Sequence, residues 1–326
     1  MSVAAGVDDC LVYYPDDRPG ITRRRCGRGF AYRAADGTTI ARGAERTRLE
    51  AMAVPPAYRE VWMSPLSNGH LMATGRDARG RKQYRYHPDW QAARSETKFA
   101  LLPEFARALP AMRRRVARDL EAECGARDFA LAAAVALLDR LALRVGHPAY
   151  TRENGSFGLV TLRPRHVRLG GHGVGLSFRA KGGAEVRARI DDRRLQKVLQ
   201  KARDLPGAEL LTWVDGEGGV HALTSQGVNA YIAELSGEPR FTAKVFRTWA
   251  GTLAGFQRVL DGPAGVGEIA GAAAERLANT PAVARSSYVH PAVLDLAGVA
   301  PPDLPAEGPS GLYAGEKRLL QFLERA

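Results

Sequence analysis

The segment GRDARGRKQYRYHPDW, Gly75 to Trp90, sets five basic side chains, Arg76, Arg79, Arg81, Lys82 and Arg85, among Gln83, Tyr84, Tyr86 and Trp90. Read as a strand, KQYRYH alternates, so Gln83, Arg85 and His87 point to one face while Tyr84 and Tyr86 share the other. A run this basic is either a solvated face or a surface that neutralises a polyanion. A second group of residues could act on such a partner. On TAKVFRTWAGTLAGF, Val245, Trp249, Leu253 and Phe256 form one apolar helical face. Arg247 lies about 200° around from Val245, with Lys244 three residues before it on the polar side. Arg144 ends a strongly apolar helical stretch, where a guanidinium either compensates the negative end of the helix dipole or serves a site. Lys181 precedes Gly182-Gly183 at what reads as a tight hairpin tip, a place where lysines are ordinarily solvated. Tyr288, in ARSSYVHP, is one of ten tyrosines and alone reads as packing. Taken one at a time, none of these residues specifies chemistry.

The elements that must carry them fall into two regions. The first ninety or so residues read as mostly strand. GFAYRAADGTTI carries an Asp36-Gly37 turn, EVWMSP is a strand, and Asn68-Gly69 is a hairpin signal leading into the basic segment. From QAARSETKFALLPEF the apolar period becomes helical, through PEFARALPAMRRRVARDLEAE and the nearly all-apolar RDFALAAAVALLDRLALRVG. The boundary between domains belongs between Trp90 and Pro103, giving a β-rich domain over residues 1–92 and a mainly helical one over 93–326. GLVTLRPRHVRLGGHGVGLSFRAKGGAEVRARI reads as three short antiparallel strands separated by glycine turns. Helices return in DRRLQKVLQKARD, TSQGVNAYIAEL, TAKVFRTWAGTLAGFQRVL and GEKRLLQFLER. The expected fold is therefore α+β, a small β-rich N-terminal domain followed by a larger, mainly α domain with one small antiparallel sheet.

Composition narrows the partner. The 326 residues hold 47 Lys and Arg against 35 Asp and Glu, a formal charge of +12, which favours a polyanion, nucleic acid before anionic membrane. The longest clean apolar run, Phe129 to Leu138, is about half of what a spanning helix needs. MSVAAGVDDC lacks the apolar core of a secretory signal, so a cytoplasmic, nucleoid-associated protein is expected. Cys10, Cys26 and Cys124 are odd in number and have no metal-ligand spacing, so they read as reduced thiols, with no structural zinc.

The pieces gain meaning jointly. LRVGHPAYTRENGSFGLVTL, a lysine at a hairpin tip, KVFRTW and LANTPAVARSSYVHP follow one another in a particular order and spacing. Together with GRDARGRKQYRYHP they closely resemble the poxvirus-like, bacterial branch of the type IB DNA topoisomerases, over roughly Arg59 to Val293. The resemblance implies an enzyme whose two domains clamp duplex DNA. It implies that a tyrosine, by position Tyr288, attacks a phosphodiester to form a 3'-phosphotyrosyl link, permits strand rotation and religates. Arg144 and Arg247 match the family arginines that bind the non-bridging oxygens, a task suited to bidentate guanidinium geometry. Lys181 matches the lysine that protonates the departing 5'-oxygen, and Lys244 a second lysine near the phosphate. Asn279 stands nine residues before Tyr288, where many relatives carry histidine; its amide can donate a hydrogen bond but cannot transfer a proton as imidazolium does. Gln83, Tyr84 and Tyr86 match residues that contact DNA in the major groove, and Tyr150 one that touches the backbone near the cleavage site. Arg76, Arg79, Arg81, Lys82 and Arg85 are assigned collectively to phosphates. Neither ATP, cofactor nor metal is implied, and the expected species is a monomer on duplex DNA with no membrane and no obligatory protein partner.

Three alternatives bear on the same residues. A tyrosine recombinase uses a similar set, but carries a histidine where this chain has Lys244 and a helical N-terminal domain. A metal-dependent nuclease would need clustered carboxylates. A non-enzymatic architectural DNA-binding protein would account for charge and aromatic strand and leave the ordered set unexplained.

Overall fold

The computed structural model describes residues 11–170 and 173–326. The chain divides into two compact units, Met1–Thr97 and Lys98–Ala326. Cys10 lies outside the described residues; Cys26 and Cys124 are free thiols. No described helix is long and apolar enough to cross a membrane. The fold is α+β, a sheet unit followed by a helical unit with small sheets.

In the first unit, β1 (Ile21–Cys26), β2 (Gly29–Arg33), β3 (Arg59–Met63), β4 (Leu71–Arg76) and β5 (Lys82–Tyr86) form an antiparallel sheet in the order β2-β1-β3-β4-β5. Ile21, Tyr32, Val61, Met63 and Ala73 supply its inner face, covered by Leu49 and Met52 at the end of helix α1 (Ala44–Ala51). That helix escapes a pattern reading, because AERTRLEA buries one residue, Leu49, and has almost no amphipathic signature. The Asp36-Gly37 turn forms as expected, with Gly37 at φ +86° and Asp36 Oδ1 accepting from Thr38 N at 2.8 Å. Asn68-Gly69 lies in the loop of residues 64–70 that joins the antiparallel strands β3 and β4, so the hairpin forms with a loop longer than two residues. A tighter turn joins β4 to β5, where Asp77 N donates to Arg81 O and Gly80 takes φ +74°.

The second unit begins within α2 (Pro88–Ala100) and continues through α3 (Leu102–Asp119) into α4 (Arg127–Leu141). Ten of the fifteen residues of α4 are buried, which makes this almost wholly apolar helix the centre of the unit. A short helix, α5 (Pro148–Asn154), follows and carries Tyr150. GLVTL is not a strand; Leu159–Thr161 form a 3₁₀ turn, and strands begin only at β6 (Val167–Gly170). With β7 (Gly173–Arg179) and β8 (Glu185–Ile190) it makes an antiparallel three-stranded sheet. Helix α6 (Arg193–Arg203) is N-capped by Asp192, and β9 (Thr212–Val214) pairs with β10 (Val220–Ala222). The remaining helices are α7 (Ser225–Ser236), α8 (Ala243–Leu260), α9 (Val266–Leu277), α10 (Pro281–Tyr288), α11 (Pro291–Leu294) and α12 (Ala314–Leu323). Alternating Phe105, Phe241, Phe246 and Phe256 with small alanines of α4 and α9 fills the core.

Candidate active site

Two helices of the second unit end in the same unusual way. Ala142 caps α4 at φ 49° and Ala278 caps α9 at φ 47°, both left-handed, a conformation costing a non-glycine residue on the order of 1–2 kcal/mol. Each sharp exit delivers a candidate residue: Arg144 two positions beyond the first, Asn279 one beyond the second. Arg144 is thus not on the apolar helix, and dipole compensation within that helix does not describe it. Its segment runs against Gly158, where an added Cβ would sit 2.6 Å from Gly146 Cα and 2.7 Å from Arg144 O. Leu159 N then bonds Arg144 O at 2.9 Å and fixes the backbone.

Arg247 joins the two ends. Helical phase places it away from Val245, but α8 is enclosed on nearly all sides, and Arg247 is only 4% exposed. The solvated basic face considered from sequence does not exist here. Its guanidinium donates through Nη1 to Ala142 O and through Nη2 to Leu277 O at 3.1 Å, the terminal carbonyls of α4 and α9. The Cζ atom lies 5.1 Å from the centroid of the Tyr288 ring. Arg144 Nη2 in turn donates to Asn279 Oδ1, which orients the amide. Among the described residues, the buried donors Arg247 Nε and Asn279 Nδ2 have no partner. Such groups are rare because each forfeits its hydration.

The electrostatics point the same way. Burial, then the neighbouring Arg247, pushes the Arg144 guanidinium below its ordinary range, with the Tyr288 phenol acting in the opposite direction. Burial does the same to Arg247, again opposed by Tyr288. Neither arginine forms an ion pair among the described residues. Two largely desolvated cations held together with unpartnered donors are chemically suited to receive an anion. Arg144, Arg247 and Asn279 line a cavity of about 290 Å³ whose wall includes Ala180 at the base of the β7–β8 hairpin.

Tyr288, the last residue of α10, is half-buried and held by the helix that carries Arg247. Thr252 Oγ1 donates to Tyr288 O at 3.1 Å and accepts from His290 N at 3.1 Å, so one fully buried hydroxyl brackets the tyrosine. Gly251 makes this approach feasible: a Cβ there would meet Tyr288 O at 2.9 Å and Tyr288 Cβ at 3.0 Å. Sequence reading passed over both residues, although they lie one turn beyond Arg247.

The other candidates are placed less centrally. Lys181 sits in the β7–β8 turn, closed by Ala180 N donating to Ala184 O at 2.7 Å, with Gly182 and Gly183 at positive φ. Its exposed ammonium lies 5.9 Å from the Tyr150 ring centroid, and no contact ties it to the Arg144–Asn279 pair. Lys244 is exposed one turn before Arg247. Among the described residues, no three His, Cys, Asp or Glu side chains cluster to hold a metal ion.

In the first unit the basic residues are mostly engaged. Arg76 Nε bonds Glu60 at 2.7 Å, Arg81 pairs with Asp77 at 2.7 Å, and Lys82 pairs with Asp16 at 2.5 Å. Gln83 Nε2 donates to Asp77 Oδ2 at 3.0 Å, and Arg85 to Ala53 O at 3.1 Å. The Asp77 carboxyl, serving Arg81 first, is held down to about 2. Arg79 is exposed. Tyr84, 49% exposed, stacks at 6.1 Å on Tyr86, so the two rings share a face as alternation requires.

Residues 87–282 match the family described as eukaryotic DNA topoisomerase I, catalytic core, and residues 29–77 match the bacterial DNA topoisomerase IB N-terminal domain. The chain belongs to the type IB DNA topoisomerases. It is an enzyme of that class, acting on DNA. The core match contains Arg144, Lys181, Lys244, Arg247 and Asn279 and ends short of Tyr288. A relative, DNA topoisomerase 1B of Acanthamoeba polyphaga mimivirus, is 27% identical over 245 residues, spanning 74% of this chain and 73% of its own. For this type IB topoisomerase the recombinase and architectural alternatives fall away, and the sheet-built first unit agrees with the N-terminal match.

Proposed function

We propose that Tyr288 is the nucleophile and that Arg144, Arg247 and Asn279 form the oxyanion-binding set. The observation that carries this reading is the pair of buried, unpartnered donors, Arg247 Nε and Asn279 Nδ2, on two residues linked to Tyr288 and Arg144. A scissile phosphate supplies the acceptors they lack. Tyr288 Oη attacks phosphorus as its phenolic proton passes to solvent water. The bond to the 5'-oxygen breaks, and Lys181 protonates that oxygen. Charge gathers on the non-bridging oxygens in the transition state, where preorganised guanidinium and amide donors act most strongly. Lys244 contributes positive charge from the exposed turn beside them. Reversal restores the diester, so the covalent link conserves the bond energy and ATP is not consumed. Arg76, Arg79, Arg81, Lys82 and Arg85 engage phosphates, Gln83, Tyr84 and Tyr86 engage the major groove, and Tyr150 the backbone near the scissile bond. The protein works as a monomer on duplex DNA in the nucleoid.

Strand polarity tests this reading. A duplex labelled at the 5' end of the cleaved strand and quenched with detergent transfers its label to the wild-type protein, and the downstream fragment carries a 5'-hydroxyl that a kinase can phosphorylate. Tyr288→Phe yields neither. Label retained from the 3' end, or an adduct in the Phe variant, contradicts the assignment.

A further inference from the structure

A residue outside the oxyanion set touches the nucleophile's helix. Lys98, the first residue of the second unit, projects from α2, and its Nζ donates to the carbonyl of Ser287 at 3.1 Å. Ser287 immediately precedes Tyr288. At the end of α10 the last carbonyls have no partner within the helix. Ala284 O is taken by Val289 N, Ser287 O by Lys98, and Tyr288 O by Thr252. The two adjacent carbonyls that flank the nucleophile's Cα are thus pinned from two different helices.

The setting is a poor one for an ammonium that did nothing. Lys98 is half-buried, rests 4.1 Å from the centroid of its neighbour Phe99, and makes no ion pair among the described residues. Burial, reinforced by the like charge of Lys244, brings its pKa down to about 8. An apolar side chain would fill the same space beside Phe99 without that cost. What the lysine adds is a charge-assisted donor aimed at the negative, unsatisfied end of α10.

We infer that Lys98 is a positioning residue for cleavage: its ammonium fixes the carbonyl of Ser287 and so sets the direction in which Tyr288 leaves helix α10. The inference rests on Tyr288 being the nucleophile. It separates orientation of the nucleophile from stabilisation of the phosphate, which Arg144, Arg247 and Asn279 perform without Lys98.

Single-turnover cleavage with enzyme in excess over an end-labelled duplex, alongside DNA affinity and thermal melting, tests it on Lys98→Met and Lys98→Arg. Lys98→Met should cleave about 10- to 100-fold more slowly, since a displacement of order 1 Å costs that much, while affinity and melting stay near wild type. Lys98→Arg, which restores a charged donor, should recover most of the rate. If the Met variant does not fold, Lys98→Gln is compared with Lys98→Arg in the same way. A wild-type rate without the ammonium, an Arg variant as slow as the uncharged one, or a loss confined to DNA affinity overturns the inference. Tyr288→Phe run in parallel separates the two claims: covalent adduct in that variant removes the premise, whereas its absence together with full activity of Lys98→Met removes only the role of Lys98.

Discussion

The guanidinium carbon of Arg247 lies 5.1 Å from the centroid of the Tyr288 ring, and the same side chain holds the terminal carbonyls of the two helices that deliver Arg144 and Asn279. One buried arginine therefore both faces the proposed nucleophile and fixes the frame of the proposed phosphate site. Replacing it should damage catalysis and stability together. Arg247→Ala should lower single-turnover cleavage by about 10²–10³-fold, as loss of an oxyanion donor does. It should also cost about 1–3 kcal/mol in chemical denaturation, because Ala142 and Leu277 lose a partner. Arg247→Lys should recover little of either, since one ammonium cannot span both carbonyls and still present a free donor. Full cleavage by the Lys variant would contradict this.

The contact between Gly251 and Tyr288 leaves no room for a methyl group. Gly251→Ala should fold, lose about 1–3 kcal/mol by overpacking, and slow cleavage by about 10²-fold through displacement of the tyrosine. Thr252→Ser keeps the hydroxyl and should stay near wild type, whereas Thr252→Val, matched in shape, should not. Equal cleavage rates for Ser and Val would show that the bracket around Tyr288 plays no part.

His290 gives the site an acid limit. Its Nδ1 accepts from Ala292 N at 3.1 Å at the start of α11, and burial pushes its pKa down, with Asp295 partly opposing. A base whose folded pKa is depressed contributes stability that is present above the unfolded value, about 6.5, and lost as pH falls through the folded one. The melting temperature of wild type should therefore decline below about pH 6.5 relative to His290→Asn, which retains a capping acceptor that does not titrate. Parallel pH curves for the two proteins would dismiss the linkage.

Much of the architecture was legible. The hairpin that carries Lys181 announces itself in Gly182-Gly183, and the switch from strand to helix near Trp90 follows a change of apolar period. What the sequence hid has a physical cause in each case. Periodicity gives the direction of Arg247 relative to Val245 but cannot say that α8 is enclosed on its second side. The left-handed alanines at 142 and 278 carry no glycine to mark them, so Arg144 read as the end of a helix rather than the residue beyond a sharp exit. Lys98 is far from Ser287 in sequence, and no local pattern reports a contact made by folding. Gly251-Thr252 was the most recoverable loss, since a glycine inside an apolar helix calls for a close approach.

The basic strand of the first unit should bind DNA by exchanging partners. Exposed ion pairs such as Arg76 with Glu60 are worth at most about 1 kcal/mol, so phosphates can displace the acids. Affinity should fall steeply with salt. Arg79→Ala should reduce the slope of log K against log salt by about 1. Glu60→Gln should tighten binding by weakening the hold on Arg76. A binding constant independent of salt between low and moderate concentrations would contradict phosphate-dominated association.

Whether Tyr288 carries the strand through a covalent cycle supported by the arginine and asparagine donors is decided by relaxation of negatively supercoiled plasmid in EDTA without ATP. Wild type should relax the plasmid fully, while Tyr288→Phe binds it and leaves it supercoiled. Relaxation by the Phe variant, or binding without relaxation by wild type, would rule out Tyr288 as the nucleophile of this cycle.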